Sequence, residues 1–144
     1  MTERFTLDEI LAADTAPVTS LALCHVLLMD DARVPWLILV PRRAGLRELH
    51  ALPASERTLL MEEIAAASRV LERLYRPHKL NVGALGNRVP QLHVHVVGRF
   101  RDDAAWPGPI WGSGPAARYE DARRVAELER LRAAFVQDQG HDPA

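Results

Sequence analysis

At 144 residues with 48% hydrophobic side chains, the chain has material for one domain around one core and not for two. Its formal charge of −1, from 18 basic and 19 acidic side chains mixed along the sequence, removes the electrostatic argument for nucleic acid or an anionic membrane as the main partner. A lone Cys24 excludes an intrachain disulfide, and neither the acidic start "MTERFTLDEILAAD" nor any later stretch reads as a leader core or a membrane span, so the expected location is cytoplasmic.

In chain order, Thr6 and Glu9 have capping-box spacing, with Leu7, Ile10 and Leu11 on one side; they predict a short helix that ends before Pro17. The stretches "TSLALCHVLLM" (19–29) and "VPWLILV" (34–40) are aliphatic and flank "DDAR", where Asp30 and Asp31 favour a turn. They predict a hairpin covered on both faces. From Ser55 to Tyr75, the positions Leu60, Ile64, Ala67, Leu71 and Leu74 recur at helical steps, the pattern of a helix lying on a sheet and stopped by Pro77.

Two further strands follow, "KLNVGAL" (79–85) and "QLHVHVVGRF" (91–100), joined by "GNRVP". A Pro- and Gly-rich loop carrying Trp106 and Trp111 leads into an amphipathic helix over 117–136. Strands in hairpins with helices between and after them predict an α+β fold: an antiparallel sheet of about five strands, packed with one main helix and a C-terminal helix. A single domain over 1–144 is expected, with its core at 18–100 and the C-terminal loop and helix at 101–138.

The motif "QLHVHVV" (91–97) concentrates the chemistry. Alternation along a strand sends Leu92, Val94 and Val96 one way and Gln91, His93 and His95 the other, about 7 Å apart, a span that suits a phosphoryl group. A neutral imidazole has one lone-pair nitrogen that can attack phosphorus while its other nitrogen donates a hydrogen bond. Displacement of the resulting phosphoramidate by water then turns one hard step into two easier ones. The loop just before the motif holds Gly86, which lets the backbone approach closely, and Asn87 and Arg88 as donors to an anion. Asn81 is either one more phosphate donor or a residue that ends a turn.

On type and spacing alone, two histidines on a half-exposed strand are more often solvated or satisfied polar groups than catalysts. His-x-His is also a metal pair, for which His25, His50 or His78 would be the third ligand, but none has the spacing of an obvious partner. His25 reads as a core histidine and His141 as part of the tail. Trp106 and Trp111 suit either a cover over a nucleotide base or a filling between loop and sheet. Arg99 and Arg101, which follow the motif strand, suit the attraction of phosphates or, as is more usual, solvated surface, and Asp30 reads as a turn residue or a ribose contact.

With "GNRVPQLHVHVVGRF", the Gly86-Asn87 pair and the aliphatic "WLILVPR" (36–42) in hand, the chain resembles the histidine triad family of nucleotide hydrolases and transferases. That resemblance implies cleavage at the α-phosphorus of a nucleoside phosphate conjugate or dinucleoside polyphosphate through a covalent nucleotidyl-histidine. Carried over by position, it makes His93 the nucleophile and His95 the contact to the phosphate or leaving group, and it implies a homodimer that extends the sheet across two chains. No resident cofactor is implied, although Mg²⁺ can accompany the phosphate substrate. Two positions depart from the family: Gln91 stands where the triad begins with histidine, and Trp36 where many relatives carry a further histidine. These two departures leave open a nucleotide-binding module with impaired catalysis, and the His-x-His pair leaves open a metal-binding protein.

Overall fold

The computed structural model describes residues 3–139; His141 lies outside them. In chain order the elements are α1 (Glu9–Asp14), β1 (Thr15–Ser20), β2 (Cys24–Met29), β3 (Trp36–Pro41), α2 (Ala54–Tyr75), β4 (Lys79–Gly83), β5 (Val94–Arg99) and α3 (Asp121–Asp138), with one 3-10 turn at Leu49–Ala51. The strands form a single antiparallel sheet in the order β1-β2-β3-β5-β4, which is the expected α+β arrangement.

Alternation divides the sheet into two chemically different faces. On one, Val26, Leu28, Leu37, Leu39, Val94 and Val96 meet Leu60, Ile64, Ala67 and Leu71 of α2 and Leu131 and Phe135 of α3. Arg69 and Asp138 form a two-pronged ion pair, at 2.9 and 3.0 Å, that joins the two helices. On the other face, Leu27, Trp36, Ile38, Val40 and Val97 pack with Leu11 of α1 and with Val89 and Ile110 from loops. The histidines belong to this second face.

Three local expectations are corrected. Helix α1 begins at Glu9, because its cap is Asp8 rather than Thr6: the Asp8 carboxylate accepts from the N–H groups of Ile10 and Leu11. The stretch 19–29 is not one strand. It divides at Leu21–Leu23 into β1 and β2, and the buried Glu63 of α2 accepts the N–H groups of Leu23 and Cys24 at 2.9 and 2.8 Å. Pro17 lies inside β1, which is tolerable because β1 is an edge strand with a register shift between Pro17 and Thr19. Finally, the last two strands are shorter than 79–85 and 91–100, so Gln91 and His93 precede β5 instead of lying within it.

Candidate active site

In the sheet register His95 stands opposite Ile38 on β3 and Gly83 on β4, while Trp36 stands opposite Val97. These side chains share the face turned away from α2 and α3. A recess of about 210 Å³ opens there, lined by Ile10, Leu11 and Asp14 of α1, by Met29 and Ile38 of the sheet, by the loop from Leu85 to Val89, and by His93 and His95. Gly86 turns that loop with φ +68°, a conformation that favours glycine.

The two imidazoles are set in opposite states by their partners. His93 Nδ1 lies 2.7 Å from the Gln91 carbonyl oxygen. A carbonyl only accepts, so Nδ1 holds the proton and, in the neutral ring, Nε2 holds the free lone pair. His95 Nδ1 lies 3.0 Å from the indole Nε1 of Trp36. An indole N–H only donates, so Nδ1 of His95 is bare and its proton sits on Nε2. A nucleophilic nitrogen and an N–H donor therefore occur on neighbouring rings, whose centroids are 5.0 Å apart.

His95 is enclosed by aromatic surface, with Trp36 at 5.8 Å and Trp111 at 5.5 Å between ring centroids. Burial disfavours its charged form, and the charge of His93 does so further; together they bring its pKa down to about 4. Gly83 makes room for Trp111, since a Cβ there would lie 3.2 Å from the indole.

Of the residues singled out in the sequence, the recess brings together His93, His95, Gly86, Asn87 and Arg88. It does not bring in Gln91 or Asn81. The Gln91 amide faces the N-terminal segment, donating to the Thr6 carbonyl and accepting from the Asp8 N–H, each at 2.9 Å; strand pairing starts only at Val94, so Gln91 lies outside the paired strand and its side chain turns to that segment rather than into the recess. Asn81 accepts from Arg99 at 2.9 Å.

Arg99 itself is not solvated surface. It is 1% exposed, paired with Asp103 and bonded to the Gly108 carbonyl, and it holds the Pro- and Gly-rich loop against the sheet. Trp106 lies over Arg99 and against His78, and Trp111 fills the space between loop and sheet, so neither indole lines the recess. Asp30 accepts from Tyr119 N–H and Arg118 rather than facing the recess.

Among the described residues no three His, Cys, Asp or Glu side chains are grouped to hold a metal ion. His25 bonds the Ser20 hydroxyl at 2.9 Å, His78 accepts from Arg101, and His50 is exposed. No helix among those residues is long and apolar enough to cross a membrane.

Sequence reasoning missed the α1 wall, because Ile10, Leu11 and Asp14 are some eighty residues from the motif and carry no signal of their own. It also took Trp36 only as a departure. Strand alternation held the clue, since it places Trp36 on the same face as Ile38 and hence beside His95.

The model of the HIT domain matches residues 12–102. A protein of Mycobacterium tuberculosis named AP-4-A phosphorylase is 37% identical over a 103-residue alignment that covers 67% of this chain and 52% of that protein, so the chain spans about half the length of this relative. A histidine triad protein from Marinobacter aquaeolei VT8 superposes with a TM-score of 0.91 at 43% identity, covering 94% of this chain and 98% of the other. A histidine triad protein from Sinorhizobium meliloti 1021 gives 0.88 at 42% identity, over 90% and 96%.

Proposed function

The chain belongs to the HIT domain family, and from that premise we propose that it is a nucleotide hydrolase or transferase acting at the α-phosphorus of a nucleoside phosphate conjugate or dinucleoside polyphosphate. The observation that carries this reading is the 2.7 Å contact between His93 Nδ1 and the Gln91 carbonyl, which leaves Nε2 as the attacking lone pair in a recess shared with the Gly86–Arg88 loop.

In this reading the apolar wall of Ile10, Leu11, Met29 and Ile38 receives the nucleoside, while loop N–H groups, Asn87 and Arg88 hold the phosphate oxygens. His93 Nε2 forms a bond to the α-phosphorus as the bond to the leaving oxygen or nitrogen breaks. The N–H of His95 donates to that leaving atom or to a phosphate oxygen. Water, or inorganic phosphate as the name of the mycobacterial relative suggests, then attacks phosphorus, the P–N bond breaks, and His93 is restored. This scheme requires no resident metal, and Mg²⁺ can accompany the polyphosphate.

A dinucleoside polyphosphate suits a second feature. His93 also borders a neighbouring recess with Arg47, Glu48 and His50 at its rim, so a substrate with two arms has space on either side of the Gly86 loop. The reading includes a homodimer and a cytoplasmic setting.

Trapping tests it. Protein incubated with α-³²P-labelled diadenosine tetraphosphate and quenched in alkali should carry label that His93→Ala abolishes, with circular dichroism of the variant unchanged. Absence of both nucleotide binding and His93-dependent label would sink the proposal. Binding with no turnover on diadenosine tetraphosphate, adenosine phosphoramidate or a nucleotide sulfate would favour a binding module instead.

A further inference from the structure

We propose that Gln91 is a positioning residue that straps the N-terminal segment to the site, so that α1 closes the nucleoside side of the recess; this rests on the nucleotide reading above for the ligand, but not for the strap itself.

The geometry has three links. The Gln91 amide donates to the Thr6 carbonyl and accepts from the Asp8 N–H, both at 2.9 Å. Those two backbone groups flank Leu7 and point to one side of the chain, so the amide pairs with them as the edge of a neighbouring strand would. Asp8 in turn caps α1 through Ile10 N–H and Leu11 N–H, and the capped helix presents Ile10, Leu11 and Asp14 to the recess.

A helix of six residues does not stand alone in water. At its C-terminal end it runs directly into β1 and the Asp14 carbonyl accepts from Asp30 N–H at 2.9 Å; towards its start it is attached by the buried Leu11, the partly buried Phe5 and Leu7 and this amide clamp. The same residue supplies the carbonyl that orients His93. Gln91 thus sets the nucleophile with its main chain and the pocket wall with its side chain, and its side-chain role is ligand affinity rather than proton supply.

The experiment uses full-length protein with Gln91→Met, which keeps length and apolar volume but neither hydrogen bond, Gln91→Glu, which keeps only the acceptor, and Gln91→His. Amide hydrogen exchange is followed over 8–14 and over α2, and AMP is the binding probe in calorimetry. In Gln91→Met, exchange over 8–14 should rise while α2 stays protected, and AMP should bind roughly tenfold more weakly, the size expected for about one net hydrogen bond. Gln91→Glu should fall between this and the wild type. Gln91→His should also loosen α1 and gain no rate, because an imidazole does not reproduce the two amide contacts.

Unchanged exchange over 8–14 in Gln91→Met would overturn the strap. So would intact AMP affinity combined with a rate loss that grows as the leaving group becomes poorer, the signature of a donor acting in the reaction. A wild type that binds no AMP would reject the nucleotide reading alone, and the exchange comparison would still decide whether Gln91 holds α1.

Discussion

The indole N–H of Trp36 donates to Nδ1 of His95 at 3.0 Å, across the pairing of β3 with β5. Because Trp36 is 5% exposed and His95 is 7% exposed, water does not compete well for either group. The bond fixes which nitrogen of His95 carries the proton, and its donor, an indole N–H, does not titrate.

Trp36→Phe tests this. The ring nitrogens of His95 should give ¹⁵N shifts of a bare Nδ1 and a protonated Nε2 in the wild type, and an average of tautomers in the variant. Turnover should fall by roughly fivefold, in keeping with about 1 kcal/mol for a lost hydrogen bond, and stability by about 1–2 kcal/mol for the smaller ring. Unchanged nitrogen shifts would show that Trp36 does not choose the tautomer.

The pH dependence of His95 follows from its enclosure. Burial first, and the charge of His93 second, lower its pKa from 6.5 to about 4. Its folded value is depressed, so the unfolded chain takes up the proton first on acidification. The stability contributed by the neutral ring is complete above about pH 6.5 and is lost as pH falls toward 4. NMR titration should find His95 still neutral at pH 5.5. A midpoint between 6 and 7 would contradict the enclosure by Trp36 and Trp111.

The parts of the fold that were legible in the sequence are those encoded by local pattern. The 3.6-residue recurrence through Leu60, Ile64 and Leu71 gave α2, and the aliphatic runs about "DDAR" gave the β2–β3 hairpin, because burial against a sheet imposes those periods. The turn at Leu21–Leu23 was not legible. It contains no Gly or Pro and is held by a carboxylate forty residues away, that of Glu63. For the same reason the site was read as a row of Gln91, His93 and His95, whereas tertiary hydrogen bonds take Gln91 to Thr6 and Asp8. The family resemblance located His93; only the carbonyl of Gln91 and the indole of Trp36 assign the protons.

Arg99 and Asp103 are 1% and 2% exposed and meet at 2.9 Å, which makes them a buried pair rather than a surface one. Asp103→Ala leaves the guanidinium charge buried with only Asn81 and the Gly108 carbonyl, and should cost about 3–5 kcal/mol in urea unfolding at pH 7. The hydrogen bond from Arg99 lowers the Asp103 pKa from 3.8 to about 2. The pair's contribution is therefore complete above about pH 4 and is lost as pH falls toward 2, so the gap between wild type and variant should close on acidification. A gap that stays constant down to pH 2 would mean that the ion pair is not its source.

The two sheet edges differ, and the difference selects where a second copy would add. At β1, Pro17 has no N–H to offer, and the carbonyls of Pro17 and Val18 accept from Arg132 of α3. At β4 the edge is open, and Val82, 49% exposed, borders the same recess as Met61 of α2, 60% exposed. The proposed homodimer should therefore form through β4 and the adjoining flank of α2, burying both side chains. Sedimentation velocity at micromolar concentrations should give a dimer for the wild type and a monomer for Val82→Lys, which sets two like charges against each other across a symmetric edge. The recess at His93 lies on the opposite face of the sheet from Val82, which pairs with Val96 among the helix-facing side chains. A wild type that sediments as a monomer would reject the dimer, and a Val82→Lys variant that remains dimeric would move the interface away from β4.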